Sequence, residues 1–256
     1  AAFVKSQCAP TVETSLGQAV GTYAAVGVER YGSIPFALPP IGARRFARAE
    51  VNNLPWLGGV LDARLPSAPC IQDPLGDPRT AGSESLEPTE DCLQLNVWRP
   101  ARAAQGASLP VMVYLFGGGL CEGWAGNEYI NGSNIALQHS VVVVTVQYRL
   151  GALGFAVGQD ASRPGTGGMN GIYDNIVALR WLRRYIGHFG GNAEDITLFG
   201  ESSGGYSTCT LCVAPDAKGL FQRAVIQSGP CFGGSPGRGW GPGSFEKGRN
   251  ATVQML

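Results

Sequence analysis

The chain has 256 residues, 44% of them apolar and 15% charged, which is enough apolar material for a substantial core. Nineteen basic and nineteen acidic side chains cancel, excluding a surface built for nucleic acid or an anionic membrane. No apolar run approaches the ~20 residues that span a bilayer.

In chain order, the first 45 residues read as a β-rich entry. Gly21 to Tyr31 alternates loosely, and Ile34 to Pro40 reads as rigid loop because it holds three prolines. Residues 52 to 91 are turn-rich, with six prolines. Leu93 to Trp98 alternates as a strand that ends at Pro100. The texture then becomes α/β. Val111 to Phe116 and Val141 to Val146 are buried strands, and Ile176, Leu179, Leu182 and Ile186 form one apolar helix face. Strand Ile196–Phe199, helix Gly205–Ala214 and strand Ala224–Gln227 follow. Residues 229 to 248 hold eight glycines and three prolines, a flexible segment, and Ser244 is placed to cap a helix running to Leu256.

Alternating strands and helices predict an α/β fold with a mainly parallel sheet covered on both faces. In such a fold, residues that follow strands gather at the C-terminal edge of the sheet, where ligands bind. Two glycine-rich stretches follow strands here. One is Gly117-Gly118-Gly119 and the other is Gly200-Glu201-Ser202-Ser203-Gly204, a G-x-S-x-G sequence that permits a sharp strand-to-helix turn. That turn would lift Ser202 above the sheet. The N–H groups of Gly118, Gly119 and Ser203 would face a developing oxyanion, the last aided by the helix dipole.

A serine hydroxyl also needs a base, and the chain has only His139 and His188. Each comes directly before a strand, so each belongs at the N-terminal edge of the sheet. A strand of four to six residues separates the edges by roughly 13–20 Å, against a hydrogen-bond reach of about 3 Å. Neither histidine serves Ser202 in this topology.

Seven cysteines, an odd number, leave at least one thiol unpaired within the chain. With the sequons at Asn131 and Asn250, they point to an oxidising, secretory setting. Cys209 and Cys212 stand three apart on the expected helix without a ligand set nearby. They read as buried thiols, and no metal or cofactor is expected.

These motifs resemble the type-B carboxylesterase/cholinesterase family of α/β-hydrolases over about Thr11 to Gly229. Phe189-Gly190-Gly191-Asn192 through Gly204 is similar to its serine signature, and Glu90 to Val97 to its second signature. Ile34 to Ala37 with Pro39 to Gly42, and Gln147 to Gly151, also fit. The resemblance implies Ser202 as nucleophile and Gly118, Gly119 and Ser203 as the oxyanion hole, with Glu201 and Ser228 supporting the missing histidine. It also implies a Cys70–Cys92 disulfide, with about 3 kcal/mol of chain-entropy stabilisation. Cys8, Cys121, Cys209, Cys212 and Cys231 have no family pairing.

Family members are about twice this length and draw their histidine and acidic residue from the second half. Residues 1–256 are therefore expected to be the N-terminal part of one domain, completed by a C-terminal polypeptide, and nearly inert alone. Half a sheet also leaves an edge unpaired after Ala224–Gln227. Phe116 stands where the family has His, Tyr or Trp, and no Trp, Tyr or Phe lies between Cys70 and Cys92 to seat a choline by cation–π contact. The expected substrate is a small-molecule or lipid ester; the alternative is a catalytically silent adhesion or scaffold protein.

Overall fold

The computed structural model describes residues 8–72, 87–103, 106–157, 168–229 and 231. The expected helix after Ser244, the sequon at Asn250 and nearly all of the 229–248 segment lie outside them.

Ten strands form two sheets among the described residues. A small one pairs β1 (Thr11–Thr14) with β2 (Gly17–Val20) antiparallel, and β2 with β5 (Val60–Asp62) parallel. The large one contains β3 (Thr22–Ala25), β4 (Val28–Pro35), β6 (Gln94–Pro100), β7 (Leu109–Leu115), β8 (Val142–Val146), β9 (Gly191–Glu201) and β10 (Arg223–Gln227). Its order is β10-β9-β7-β8-β6-β4-β3.

This sheet is mixed. The β3–β4, β4–β6 and β6–β8 pairs are antiparallel, whereas β7–β8, β7–β9 and β9–β10 are parallel. The parallel half is the one read from the α/β texture. Ile34 and Pro35 belong to β4 rather than to the expected loop, paired with Leu95 and Gln94. Proline is tolerated there because it ends the strand.

Side chains sort by the two-residue period of a strand. Val142, Val144 and Val146 join Val111, Val113 and Leu115 in the main core, under α3 (Asn170–Tyr185) and beside Leu211 of α4 (Ser203–Val213). Val141 and Val143 turn to the opposite face, where Trp98 and Val28 meet Ala136 of α1 (Ser133–His139). Every residue of β8 is buried, four of them valines and the fifth Thr145, whose hydroxyl donates to Ala125 O. A short α2 (Gly151–Phe155) packs on α3.

β7 is followed by α1 and by β8 on one side, yet β9 returns to the other side of β7. The chain therefore leaves the C-terminal ends of β7 and β9 in opposite directions. Such a reversal opens a crevice at the sheet edge. Beyond β9, β10 closes the order, and its outer edge is unpaired among the described residues.

Disulfides join Cys70 to Cys92 and Cys209 to Cys231, with Cα separations of 5.0 and 5.4 Å. The reading of Cys209 and Cys212 as buried thiols is thereby corrected. Cys209 is oxidised, because β10 and the turn after it return the chain to α4, and Cys212 is exposed. Cys8, Cys121 and Cys212 are free thiols.

Candidate active site

Registry builds the site. Leu115 of β7 pairs with Gly200 of β9, so the loop following β7 sits beside the turn following β9. A Cβ placed on Gly117 would lie 2.8 Å from Glu201 Oε2 and 3.1 Å from the Ser202 Cβ. The crevice predicted by topology thus brings Gly117, Glu201 and Ser202 together.

Ser202 occupies φ 54°, ψ −120°, a backbone region that side chains avoid. The turn is held on both flanks. Ser202 N–H donates to Gln227 O at 2.9 Å, and its carbonyl accepts from Tyr206 N–H at 2.9 Å inside α4. Gly204 makes the sharpness possible, since a Cβ there would stand 2.0 Å from Leu115 O. The Ser202 side chain makes no cap hydrogen bond to α4, leaving its partly exposed hydroxyl uncommitted to the helix.

Helix α4 begins at Ser203, two residues before the position read from sequence, which leaves the Ser203 N–H among the unpaired donors of the first turn. Its hydroxyl acts as well, accepting the Leu120 N–H at 3.3 Å and so pinning the far end of the glycine loop. Sequence reasoning missed that second role, because Leu120 and Ser203 are 83 residues apart.

The glycine loop is wound tightly. Gly118 (φ 117°) could not carry a side chain, because a Cβ would lie 2.0 Å from Glu122 O. Its carbonyl accepts from Cys121 N–H at 3.1 Å and Glu122 N–H at 3.0 Å. Its own N–H and that of Gly119 have no acceptor among the described residues.

Phe116 brings no polar side chain of its own, and Tyr148 holds it in place. Its ring stacks on Tyr148 at 4.3 Å, and the Tyr148 hydroxyl donates to Phe116 O at 2.7 Å. Burial is the leading cause that pushes the Tyr148 hydroxyl well above its ordinary pKa, so it remains a neutral donor. Burial and then the charge of Glu201 push up the hydroxyl of Tyr114, two residues before Phe116. Next to Tyr148, Arg149 donates to both carboxylate oxygens of Asp174 on α3, at 2.9 and 2.7 Å, and to Arg45 O. The pair is buried, with side-chain exposures of 3% and 0%.

Ser228 follows β10 at φ 53°, exposed, one residue beyond the Gln227 carbonyl that holds Ser202. Neither histidine comes near by topology. His139 ends α1 below β8 and His188 precedes β9. From Gly191 to Gly200, β9 runs beside Leu109 to Leu115 of β7, six steps of about 3.3 Å, which sets His188 roughly 20 Å from the elbow. Asn131 is exposed, its Oδ1 accepting the Ser133 N–H at 2.9 Å. Among the described residues no three His, Cys, Asp or Glu side chains are grouped to hold a metal ion, and no helix is long and apolar enough to cross a membrane.

Residues 8–235 match the model of the carboxylesterase family. The chain belongs to that family. It is 42% identical over 236 residues to pyrethroid hydrolase Ces2e of Rattus norvegicus, covering 88% of this chain and 40% of that protein. It is 40% identical over 238 residues to cocaine esterase of Homo sapiens, covering 88% and 41%. A thermophilic PNB esterase superposes with a TM-score of 0.82 at 35% identity, over 96% of this chain and 48% of that one. The α/β-hydrolase architecture is therefore that of solved esterases. The chain spans about two fifths of the length of the curated relatives it matches.

Proposed function

We propose that residues 1–256 are the nucleophile-bearing part of a serine carboxylic-ester hydrolase. Ser202 Oγ attacks the ester carbonyl carbon and passes its proton to a histidine. The tetrahedral oxyanion is held by the N–H groups of Gly118, Gly119 and Ser203, and the alcohol departs with the histidine proton. Water then hydrolyses the acyl-enzyme, releasing the carboxylic acid and restoring Ser202. Glu201 and Ser228 flank the place where the histidine must enter.

The observation that carries this reading is the backbone of Ser202, strained at φ 54° between β9 and α4, beside a loop in which the Gly118 and Gly119 N–H groups have no acceptor among the described residues. Preorganised donors of this kind cost nothing to arrange when charge develops, and losing one typically reduces rate 10²–10³-fold. Because both histidines lie across the sheet, the base and its acidic partner come from sequence outside these residues, on the same precursor or a second polypeptide. Removing the base from a serine hydrolase costs about 10⁶ in turnover, so the 256-residue chain is nearly inert alone.

The substrate is a small-molecule or lipid ester; a pyrethroid hydrolase and a cocaine esterase among the relatives agree with ester chemistry. The disulfides favour an oxidising compartment, so we place the protein in the secretory lumen or outside the cell, with carbohydrate on Asn131. A fluorophosphonate probe applied to the complete enzyme should label Ser202 and no other serine. Absence of labelling in a folded, complete protein would leave the silent adhesion or scaffold role instead.

A further inference from the structure

The loop from Gly117 to Asn127 is held at three places. At Leu120, the N–H donates to Ser203 Oγ and the carbonyl accepts the Gly151 N–H at 2.8 Å. At Ala125, the N–H donates to Gln147 Oε1 at 2.8 Å, and the carbonyl accepts from Asn96 Nδ2 at 3.2 Å and Thr145 Oγ1 at 2.6 Å. Between them stands Gly123, and both of its peptide groups go to one side chain. The Gly123 N–H donates to Gln72 Oε1 at 2.9 Å, and Gln72 Nε2 donates to Gly123 O at 3.0 Å.

Gly123 is the point that touches the working end of the loop. A Cβ there would lie 2.5 Å from the Phe116 ring and 2.6 Å from Gly117 O. A shift of Gly123 therefore presses directly on the residues that precede the oxyanion donors. Gln72 is itself tethered, because its Nε2 also donates to Cys70 O at 3.0 Å, and Cys70 is bonded to Cys92, two residues before β6.

From this chain of contacts we infer that Gln72 is a positioning residue for the oxyanion loop, and that the Cys70–Cys92 disulfide sets the position of Gln72. The inference rests on the serine-esterase reading only for its kinetic consequence; the mechanical link is independent of it. Gln72 never reaches the ester. It fixes Gly123, Gly123 fixes Gly117, and the N–H groups that follow keep the place where charge develops. A primary amide suits the task, since its oxygen accepts from one peptide group of Gly123 while its nitrogen donates to the next.

The test uses the complete enzyme carrying Gln72→Ala, Gln72→Glu or Cys92→Ser, with amide hydrogen exchange over residues 117–126 and steady-state kinetics read together. Gln72→Glu keeps an acceptor for the Gly123 N–H and loses both donated bonds, so it guards against a variant that fails to fold. The expected result is faster exchange in the loop, unchanged exchange in β7, and kcat lowered about 10-fold to 100-fold with KM within twofold. That loss lies below the cost of deleting a donor outright. Gln72→Glu should fall between wild type and Gln72→Ala, and adding Gln72→Ala to Cys92→Ser should add little. Loop exchange at the wild-type rate in Gln72→Ala, or a fall in kcat with that exchange unaltered, overturns the inference. If Ser202→Ala retains full turnover, the esterase reading fails, and the exchange measurement alone still decides the role of Gln72.

Discussion

Gly117 lies against Ser202, with room between them for hydrogen and nothing larger: an added β-carbon would stand 3.1 Å from the Ser202 Cβ and 2.9 Å from the Glu201 carbonyl oxygen. Gly117→Ala must therefore push β7 and β9 apart at their C-terminal ends. In the complete protein, the proposed ester turnover should fall about 100-fold in kcat, the usual cost of an ångström's misplacement. Circular dichroism should remain that of the folded protein.

Ser202 stands in a backbone region that glycine enters freely and serine does not. Ser202→Gly should abolish ester turnover, by about 10⁶. It should also stabilise the fold by about 1 kcal/mol, the strain released less the extra chain entropy of glycine. A denaturation midpoint equal to or below wild type would contradict that second half.

The buried Arg149–Asp174 pair couples the segment carrying Tyr148 to α3. Asp174→Ala leaves a guanidinium uncompensated in the core, and should cost about 3–5 kcal/mol by chemical denaturation. Double substitution with apolar residues of similar volume should recover most of that loss.

Thiol mapping provides a direct check of the second disulfide. Without reduction, an alkylating reagent should modify Cys8, Cys121 and Cys212, and reach Cys209 and Cys231 only after a reductant is added. Burial pushes the Cys212 thiol up, so in the native protein it holds less thiolate at pH 8 than in the unfolded one. Its alkylation should accelerate on unfolding, and in the native protein should keep rising with pH beyond 9.

Local chemistry made the serine turn and the glycine loop readable from sequence, because each is defined by a few neighbouring residues with special backbone needs. The same topology that put Ser202 and Gly117 on one edge correctly sent His139 and His188 to the other. What stayed hidden depends on distant partners. The Gln72–Gly123 clamp joins positions 51 apart, and nothing in either sequence neighbourhood advertises it. Cys231 could be matched to Cys209 only once β10 was known to return the chain to α4. The helices α1 and α2, seven and five residues long, are too short for an apolar period to emerge. Strand β9 begins at Gly191 and not Ile196, because Gly191 pairs with Leu109, and the stretch from Asn192 to Asp195 bulges between that pair and the next, Val111 with Ile196.

Because β7 hands its chain toward β8 and β9 hands its chain toward β10, the two loops at the crevice never share a path. Either can be lengthened without threading past its neighbour. A lineage built on this plan is free to roof, narrow or widen the entrance by inserting residues on one side, and so trade one ester for another, while the turn that displays the alcohol is copied unchanged.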